Sequence, residues 1–463
     1  MQTICINSQS SPIRLLRELP KSNGSFCVRL EDLVENLDYK YNAGGVTRMV
    51  DPMVNYGVRT GHFSNVDWIA LSGSEDYQID MGDYTLHGIS LPPRMLRKYA
   101  DYKEAIWDSM HGRKVRFTRS GFRAYMDYNR KVAEKIKELN RNKEYDLFYI
   151  HDFQQLPQGK LLGDFAPQLF RWHIPLRADF CSDIVRDNLI GFLNEYTAVV
   201  VSTEQYANEL RKMGFLGHLI HSYPYVDEEA LKSHNNNRLS EFKERWGLSD
   251  SDRIVLCVAR RTPSKNQSIL IRAMKTVSKV CPKAKLILVG NGSFSNSAKG
   301  GLGLSKSEKW ANHLGSLISS MNLENNVIMT GYLDTEQIQM AYQSSDLLVL
   351  PSLFEGFGLV AIEAWFYQKP VIVSKEAGVA ERVAEGENGY TFDPRKPREL
   401  ADKILTILRN PTLAEEMGRN GYDIAQKHAL DEGLKSEIAM TQETIELWQT
   451  ERAFGTFIDF AET

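Results

Sequence analysis

The chain has 463 residues, 42% apolar and 25% charged, with a formal net charge of −3. That length exceeds the ~250–300 residues at which a single hydrophobic core stops growing, so two domains are expected. Balanced charge excludes the basic footprint of a nucleic-acid binder, and no run approaches the ~20 apolar residues needed to span a bilayer.

Five cysteines, Cys5, Cys27, Cys181, Cys257 and Cys281, are scattered without CxxC or Cys/His ligand spacing. Reduced thiols are the expectation, rather than disulfides or zinc. The start, MQTICINSQSSPIRLL, lacks the basic and apolar regions of a signal peptide, which predicts a cytoplasmic protein.

In chain order, YNAGGVTRMV (41–50) opens a helical pattern with Gly44 and Gly45. Amides at such a start suit a phosphate or an acceptor hydroxyl, although glycine pairs also precede helices for packing alone. The runs LFYIHDF (147–153), QLFRWHI (168–174) and AVVVST (198–203) are almost continuously apolar. That is the pattern of parallel strands buried on both faces. The first ends in His151, Asp152 and Gln154; the second ends in His173, with Arg177 following. A histidine at a strand end is as often a satisfied buried group as a functional one. Two such ends favour the functional reading.

The alternation breaks at HSYPYVDEEALKSHNNNRLSEF (221–242), where Pro224 precedes a polar, Asn-rich segment. The domain boundary is placed near residue 226, giving halves 1–226 and 227–434. A helical tail, 435–463, is expected to pack back on the first. Beyond the boundary, RIVLCVAR (253–260), AKLILVG (284–290), NVIMTGYL (326–333), SDLLVLPS (345–352) and PVIVS (370–374) read as strands. Helical patterns such as SILIRAMKTVSKVC (268–281) and TEQIQMAYQSS (335–345) lie between them. Strand–helix alternation predicts an α/β fold of two Rossmann-like, doubly wound domains facing a central cleft. Ligands of such sheets sit beyond the carboxyl ends of the strands.

Arg260 and Lys265 follow the first strand of the second half. Two cations there suit one pyrophosphate and the negative charge growing on a leaving group; a solvated basic turn is the plainer alternative. Gly290–Gly292, GNG, fits a tight turn near a nucleotide, and NGSFSNSAKGGLGLSKSEKW (291–310) predicts a mobile loop. The richest stretch is LPSLFEGFGLVAIEAW (350–365). Glu355 lies in a strand-to-helix turn beside Gly356 and Gly358, which let backbone approach a ligand closely. The amides of Phe357, Gly358 and Leu359 open the helix, where an anion is favoured. Glu363 falls about one turn in, suited to gripping a sugar diol. These groups together suit a ligand with hydroxyls and phosphate. No HExxH or DxD pattern appears on a strand end, so no metal site is expected.

These motifs carry a resemblance. The second half, over about residues 253–410, strongly resembles the nucleotide-sugar domain of retaining GT-B glycosyltransferases, particularly glycosyltransferase family four. The matching motifs run in order: VARRTPSKNQSILIRAM, LILVGNG, NVIMTGYL, SDLLVLPSLFEGFGLVAIEAWFYQKPVIVS and GVAERVAEGENGYTFDP. The first half, through HDFQQLP, FRWHIPLRADF and LIGFLNEYTAVVVST, is more distantly similar to trehalose-phosphate synthases and trehalose synthases.

The resemblance implies a retaining transfer of a hexose, glucose in trehalose synthesis, from a nucleotide diphosphate sugar to a small sugar acceptor. No metal and no cofactor beyond that co-substrate is implied. Arg260 and Lys265 would hold the donor diphosphate, Glu355 the donor sugar's hydroxyls, and Gly356 to Leu359 its sugar and phosphate through their amides. Glu363 would hold the ribose, and the backbone near Tyr332 and Leu333 the base. His173 would face the transferred sugar near its 6-hydroxyl, Asp152 would lie near the reaction centre, and Gly45 would approach phosphate or acceptor.

The sequence departs from trehalose-phosphate synthases at Gln154, where a second histidine is typical, and at Glu355, where aspartate is common. The acceptor therefore stays open between a free sugar, a sugar phosphate, a polyol, a lipid and a glycan. A non-catalytic sugar-nucleotide binder is the alternative outside catalysis. The sequence leaves open whether copies of the chain associate.

Overall fold

The computed structural model describes residues 1–19, 27–42, 45–73, 75–231, 237–290 and 301–461. The chain divides into two compact units, one formed by Met1–Tyr223 with the segment from Leu434 onward, the other by Pro224–Gly433.

In chain order the strands are β1 (Gln2–Asn7), β2 (Ile13–Leu15), β3 (Cys27–Arg29), β4 (Tyr39–Tyr41), β5 (Phe63–Leu71), β6 (Tyr77–Asp80), β7 (Thr85–Ile89), β8 (Leu147–His151) and β9 (Gln168–Arg171). They continue as β10 (Ala198–Val201), β11 (His218–His221), β12 (Arg253–Val258), β13 (Ala284–Val289), β14 (Val327–Gly331), β15 (Leu347–Leu350), β16 (Val371–Ser374) and β17 (Gly389–Phe392). All eight runs read as strands from the sequence are strands here.

The second unit is built on a sheet ordered β14-β13-β12-β15-β16-β17, with every pairing parallel. Counted from β12, that is the 3-2-1-4-5-6 order of a dinucleotide-binding sheet. The chain leaves β12 in one direction and β15 in the other, so a crevice opens between their carboxyl ends. Burial explains the composition: β15 and β16 are buried at every residue, as strands covered on both faces must be. The helix Gln267–Val280 lays Leu270, Ile271, Met274 and Val277 on the sheet.

Residues 301–310 correct an expectation. They belong to the helix Gly301–Ser320, not to a loop; 291–300 lie outside the described residues. Leu314 and Leu317 are buried in the core, and Trp310 donates its indole N–H to Gln267 at 2.9 Å. That packing sustains helix through a glycine- and serine-rich start, where propensity alone is weak.

The first unit carries a sheet ordered β11-β10-β9-β8-β1-β5-β7-β6-β3, parallel except for β6 against β7, with a small antiparallel β2–β4 pair apart from it. Its switch point falls between β1 and β8. Asp67 of β5, fully buried, accepts from His87 Nε2 at 2.7 Å, Lys143 at 2.5 Å and Tyr145 at 2.5 Å. Burial pushes its carboxyl up, but the His87, Lys143 and Tyr145 hydrogen bonds outweigh it and hold the group below the usual aspartate value. A depressed folded-state pKa contributes stability above the unfolded value and loses it as pH falls. Asp67→Asn is therefore expected to cost about 3 kcal/mol at pH 7, with the difference from wild type shrinking below about pH 4. Urea denaturation at both pH values measures it.

The tail forms the helix Leu430–Ala461, and from Leu434 it belongs to the first unit. Glu437 and Arg171 make an ion pair with both side chains 1% exposed. Tyr149 donates to the same carboxylate at 2.8 Å, and Arg171 Nη2 donates to the Ser222 carbonyl at 3.1 Å. Among the described residues, no helix is long and apolar enough to cross a membrane.

Candidate functional site

In the second unit, the residues singled out by the sequence collect at the carboxyl ends of its strands. Ala259 and Arg260 continue from β12, and Lys265 ends the 3-10 turn Pro263–Lys265 ahead of the next helix. Glu355 follows β15, directly across the switch point, because β12 and β15 are neighbours in register (Val255 with Leu347, Leu256 with Leu348). Lys265 donates its ammonium to Glu355 Oε2, and Ser352 Oγ donates to the same oxygen at 3.1 Å. The backbone completes the brace: Leu353 N–H donates to the Ser264 carbonyl at 2.8 Å, tying the two loops together. Burial pushes the Glu355 carboxyl up, but the Lys265 charge and hydrogen bond, the Ser352 hydroxyl and the Arg260 charge hold it below the ordinary glutamate value. It is an anion at neutral pH, fixed between two loops.

Two glycines make this approach of loops possible. Gly358 has φ +106, and a Cβ there would lie 2.5 Å from Leu350 Cδ2. Gly290, at the end of β13, has φ +128, and a Cβ would meet the Ala259 carbonyl oxygen at 2.1 Å. Only glycine fits either place. Gly356 is not among the left-handed residues, so of the glycine pair around Phe357 only Gly358 is required by conformation. The helix Leu359–Phe366 starts immediately after Gly358, so its first amides, which have no acceptor within the helix, follow directly on the Glu355 turn. Phe357 is buried, its ring 5.5 Å from that of His428.

Glu363, on that helix, is 7% exposed and accepts from the Tyr342 hydroxyl at 2.6 Å. Tyr342 stacks on Tyr367 with ring centroids 5.2 Å apart. Beyond β14, Tyr332 is 61% exposed while Leu333 is 2% exposed, so the two present opposite faces of one short loop.

The first unit has a second set. His151 closes β8 and is fully buried, with Nδ1 3.1 Å from His173 Nε2. Asp152 adopts φ +69, a strained conformation for a residue with a side chain. It is held there by its N–H, which donates to the Arg171 carbonyl at 2.8 Å. Burial raises the Asp152 carboxyl to about 6, against the Phe153 and His173 backbone N–H groups, the Gln154 side chain and the Lys103 charge. Its Oδ1 is buried without a hydrogen-bond partner. Strain, an orphaned oxygen and a pKa displaced toward neutrality mark a functional position better than any one of them.

Gly45 is the first residue of the helix Gly45–Arg59, and Gly44 lies outside the described residues. Arg177 is not brought into the His151–Asp152–His173 group by any of these contacts. It pairs with Asp179 at 3.2 Å and lies over the Phe180 ring at 5.1 Å.

Sequence reasoning missed Ser352, Tyr342 and Lys103. Ser352 closed the run read as a strand, two residues past the observed end of β15, and was readable as a polar strand end. Tyr342 and Lys103 are single residues on amphipathic helices and give no local signal.

Comparison with known proteins adds to this geometry. Residues 240–424 match the family model described as glycosyl transferases group 1, and residues 96–208 match the N-terminal domain of trehalose synthase. The chain is 26% identical over 236 residues to an alpha-D-kanosaminyltransferase of Streptomyces kanamyceticus, covering 50% of this chain and 57% of that one. It spans about half the length of the first such relatives. It is 25% identical over 330 residues to the trehalose synthase of Thermococcus litoralis, covering 70% of this chain and 75% of the relative. A trehalose-6-phosphate protein of E. coli, solved with UDP-2-fluoro glucose, superposes with TM-score 0.74 at 16% identity, over 95% of this chain and 98% of that one. The fold is GT-B: two Rossmann-like α/β units.

Proposed function

We propose that the chain is a retaining glycosyltransferase that moves a hexose, glucose first among them, from a nucleotide diphosphate sugar to a small sugar or sugar-phosphate acceptor. The observation that carries this reading is the Lys265–Glu355 pair, with Arg260 beside it, at the switch point of the second unit's sheet. A diphosphate leaving group needs compensating positive charge, and a sugar needs a fixed carboxylate for its hydroxyls. Both stand here within one braced pair of loops.

In the step proposed, the bond from the sugar's anomeric carbon to the diphosphate oxygen breaks and its electron pair leaves with the diphosphate. The acceptor oxygen bonds to that carbon from the same face, and its proton passes to the departing phosphate oxygen. Arg260 and Lys265 stabilise the charge that develops. Glu363 holds the ribose, and the backbone by Tyr332 and Leu333 meets the base. In the first unit, Asp152 and His173 serve sugar hydroxyls. The two cations meet the diphosphate's charge, so no metal ion or other cofactor is called for, and turnover is expected to persist in EDTA.

The test offers UDP-, ADP- and GDP-glucose with free glucose or glucose phosphate, and reads nucleotide release together with the product's anomeric configuration by proton NMR. An inverted product, or donor binding without transfer or hydrolysis to any acceptor offered, overturns the proposal. Glu363→Ala is expected to weaken nucleotide binding about 10- to 100-fold by calorimetry, the loss of one buried charged hydrogen-bonding group. Asp152→Asn is expected to abolish a limb near pH 6 in the pH profile of kcat/KM, because its carboxyl titrates at about 6.

A further inference from the structure

We propose that His151 is a positioning residue that holds His173 as its neutral Nδ1–H tautomer, so that His173 meets a sugar oxygen as a hydrogen-bond donor. The inference deepens the reading of His173 as a sugar-contacting group and rests on it for its functional half.

The two rings meet edge to edge, with centroids 5.4 Å apart and planes 23° from parallel, and His151 Nδ1 is 3.1 Å from His173 Nε2. One proton lies between those nitrogens, and two neutral arrangements are possible. If His173 Nε2–H donates, His151 carries its own proton on Nε2. That atom is buried with no hydrogen-bond partner, so the arrangement leaves an orphaned N–H, the rarest kind of unsatisfied group in a protein interior. If His151 Nδ1–H donates instead, His151 Nε2 is a bare lone pair, and no donor is stranded.

The second arrangement fixes His173. Its Nε2 becomes an acceptor, so its proton resides on Nδ1. His173 is only partly buried, and its Nδ1 has no hydrogen-bond partner among the described residues. The donor is therefore directed away from His151.

The surroundings keep both rings neutral. Arg171, at the end of β9, places a guanidinium beside both imidazoles, its own charge matched by Glu437. Burial, with the Arg171 charge, lowers His173 to about 3; burial, His173 and Arg171 lower His151 well below the usual histidine value. The Tyr149 ring packs against that of His151, with centroids 4.2 Å apart.

The experiment is long-range nitrogen–proton NMR on the full chain with labelled histidine, the His173 and His151 signals assigned from His173→Ala and His151→Phe. The expected result at pH 7.5 is a pyrrole-like Nδ1 and a pyridine-like Nε2 for His173. His151→Asn, which offers an N–H near the position of Nδ1, retains that pattern. His151→Phe, which offers none, shifts His173 toward Nε2–H and lowers kcat about 10- to 100-fold, the loss expected when one buried hydrogen bond stops orienting its partner; His151→Asn recovers most of it. A pyrrole-like Nε2 on His173 in the wild-type chain overturns the proposal, and that measurement does not depend on any variant folding. The expected tautomer together with undiminished transfer by His173→Ala would instead overturn the sugar-contact reading beneath it.

Discussion

Lys265→Ala is expected to lower kcat/KM for sugar transfer by about 10²–10³-fold, and Arg260→Ala by a similar factor, the loss typical of removing one fixed donor from a developing anion. The two variants should differ in stability. Arg260 is half-buried and its carbonyl, not its side chain, accepts from Gln267 at 2.8 Å, so its truncation leaves Tm within about 2 °C of wild type. Lys265→Ala removes the ammonium facing Glu355 and leaves that carboxylate, 17% exposed, without its cation, so Tm falls. Combining Lys265→Ala with Glu355→Gln removes the uncompensated charge and recovers Tm, while activity stays low. Turnover near the wild-type value in either single variant would show that the switch-point cations do not stabilise the leaving group.

The second large effect concerns Glu437. Glu437→Ala strands the Arg171 guanidinium in an interior where its side chain is 1% exposed, and deprives the Tyr149 hydroxyl of its acceptor. Removing one partner of a buried pair costs about 3–5 kcal/mol, which for a domain of this size lowers Tm by roughly 10 °C. Glu437→Gln keeps the volume and one acceptor oxygen and should fall between. Arg171→Met with Glu437→Leu, which replaces the pair by apolar groups, should recover much of the loss. Differential scanning calorimetry of the four proteins measures this. An unchanged Tm in Glu437→Ala would mean that the pair contributes nothing to the first unit.

The sequence made parts of this molecule legible for a physical reason. Strands buried on both faces write themselves as continuous apolar runs, which is why β8 to β10, β12 to β16 and the residues at their ends could be read directly. Glu355 was readable because the Gly-Phe-Gly corner fixes what the local backbone does. Its pairing with Lys265, a residue read separately as a cation for a pyrophosphate, was not. Lys265 precedes Glu355 by 90 residues, and their contact follows from β12 lying beside β15, a matter of sheet order.

The strands β5, β6 and β7 were missed because their composition is mixed. Polar residues such as Asp67 and His87 sit within them, buried because they pair with each other and because Lys143 and Tyr145 also donate to Asp67. The helix Gly301–Ser320 was read in part as loop because glycine and serine dominate its start. Glu437 looked like an ordinary polar residue on a helical tail. Its role appears only when Arg171 is seen beneath it.

The distance in sequence between Arg171 and Glu437, 266 residues, bears on how the protein is made. At ~5–20 residues per second of synthesis, the ribosome needs tens of seconds to travel from one to the other. Throughout that interval the amino-terminal sheet waits unfinished, its guanidinium lacking a counter-charge and the seat of Leu434, Ile438 and Met440 bare. The intervening unit, an unbroken stretch of chain, is under no such constraint and can complete itself first. Nascent chains cut short before that helix thus carry an exposed greasy trough, the kind of surface chaperones retain, and the helix made after the second unit acts as the seal on the sheet made before it.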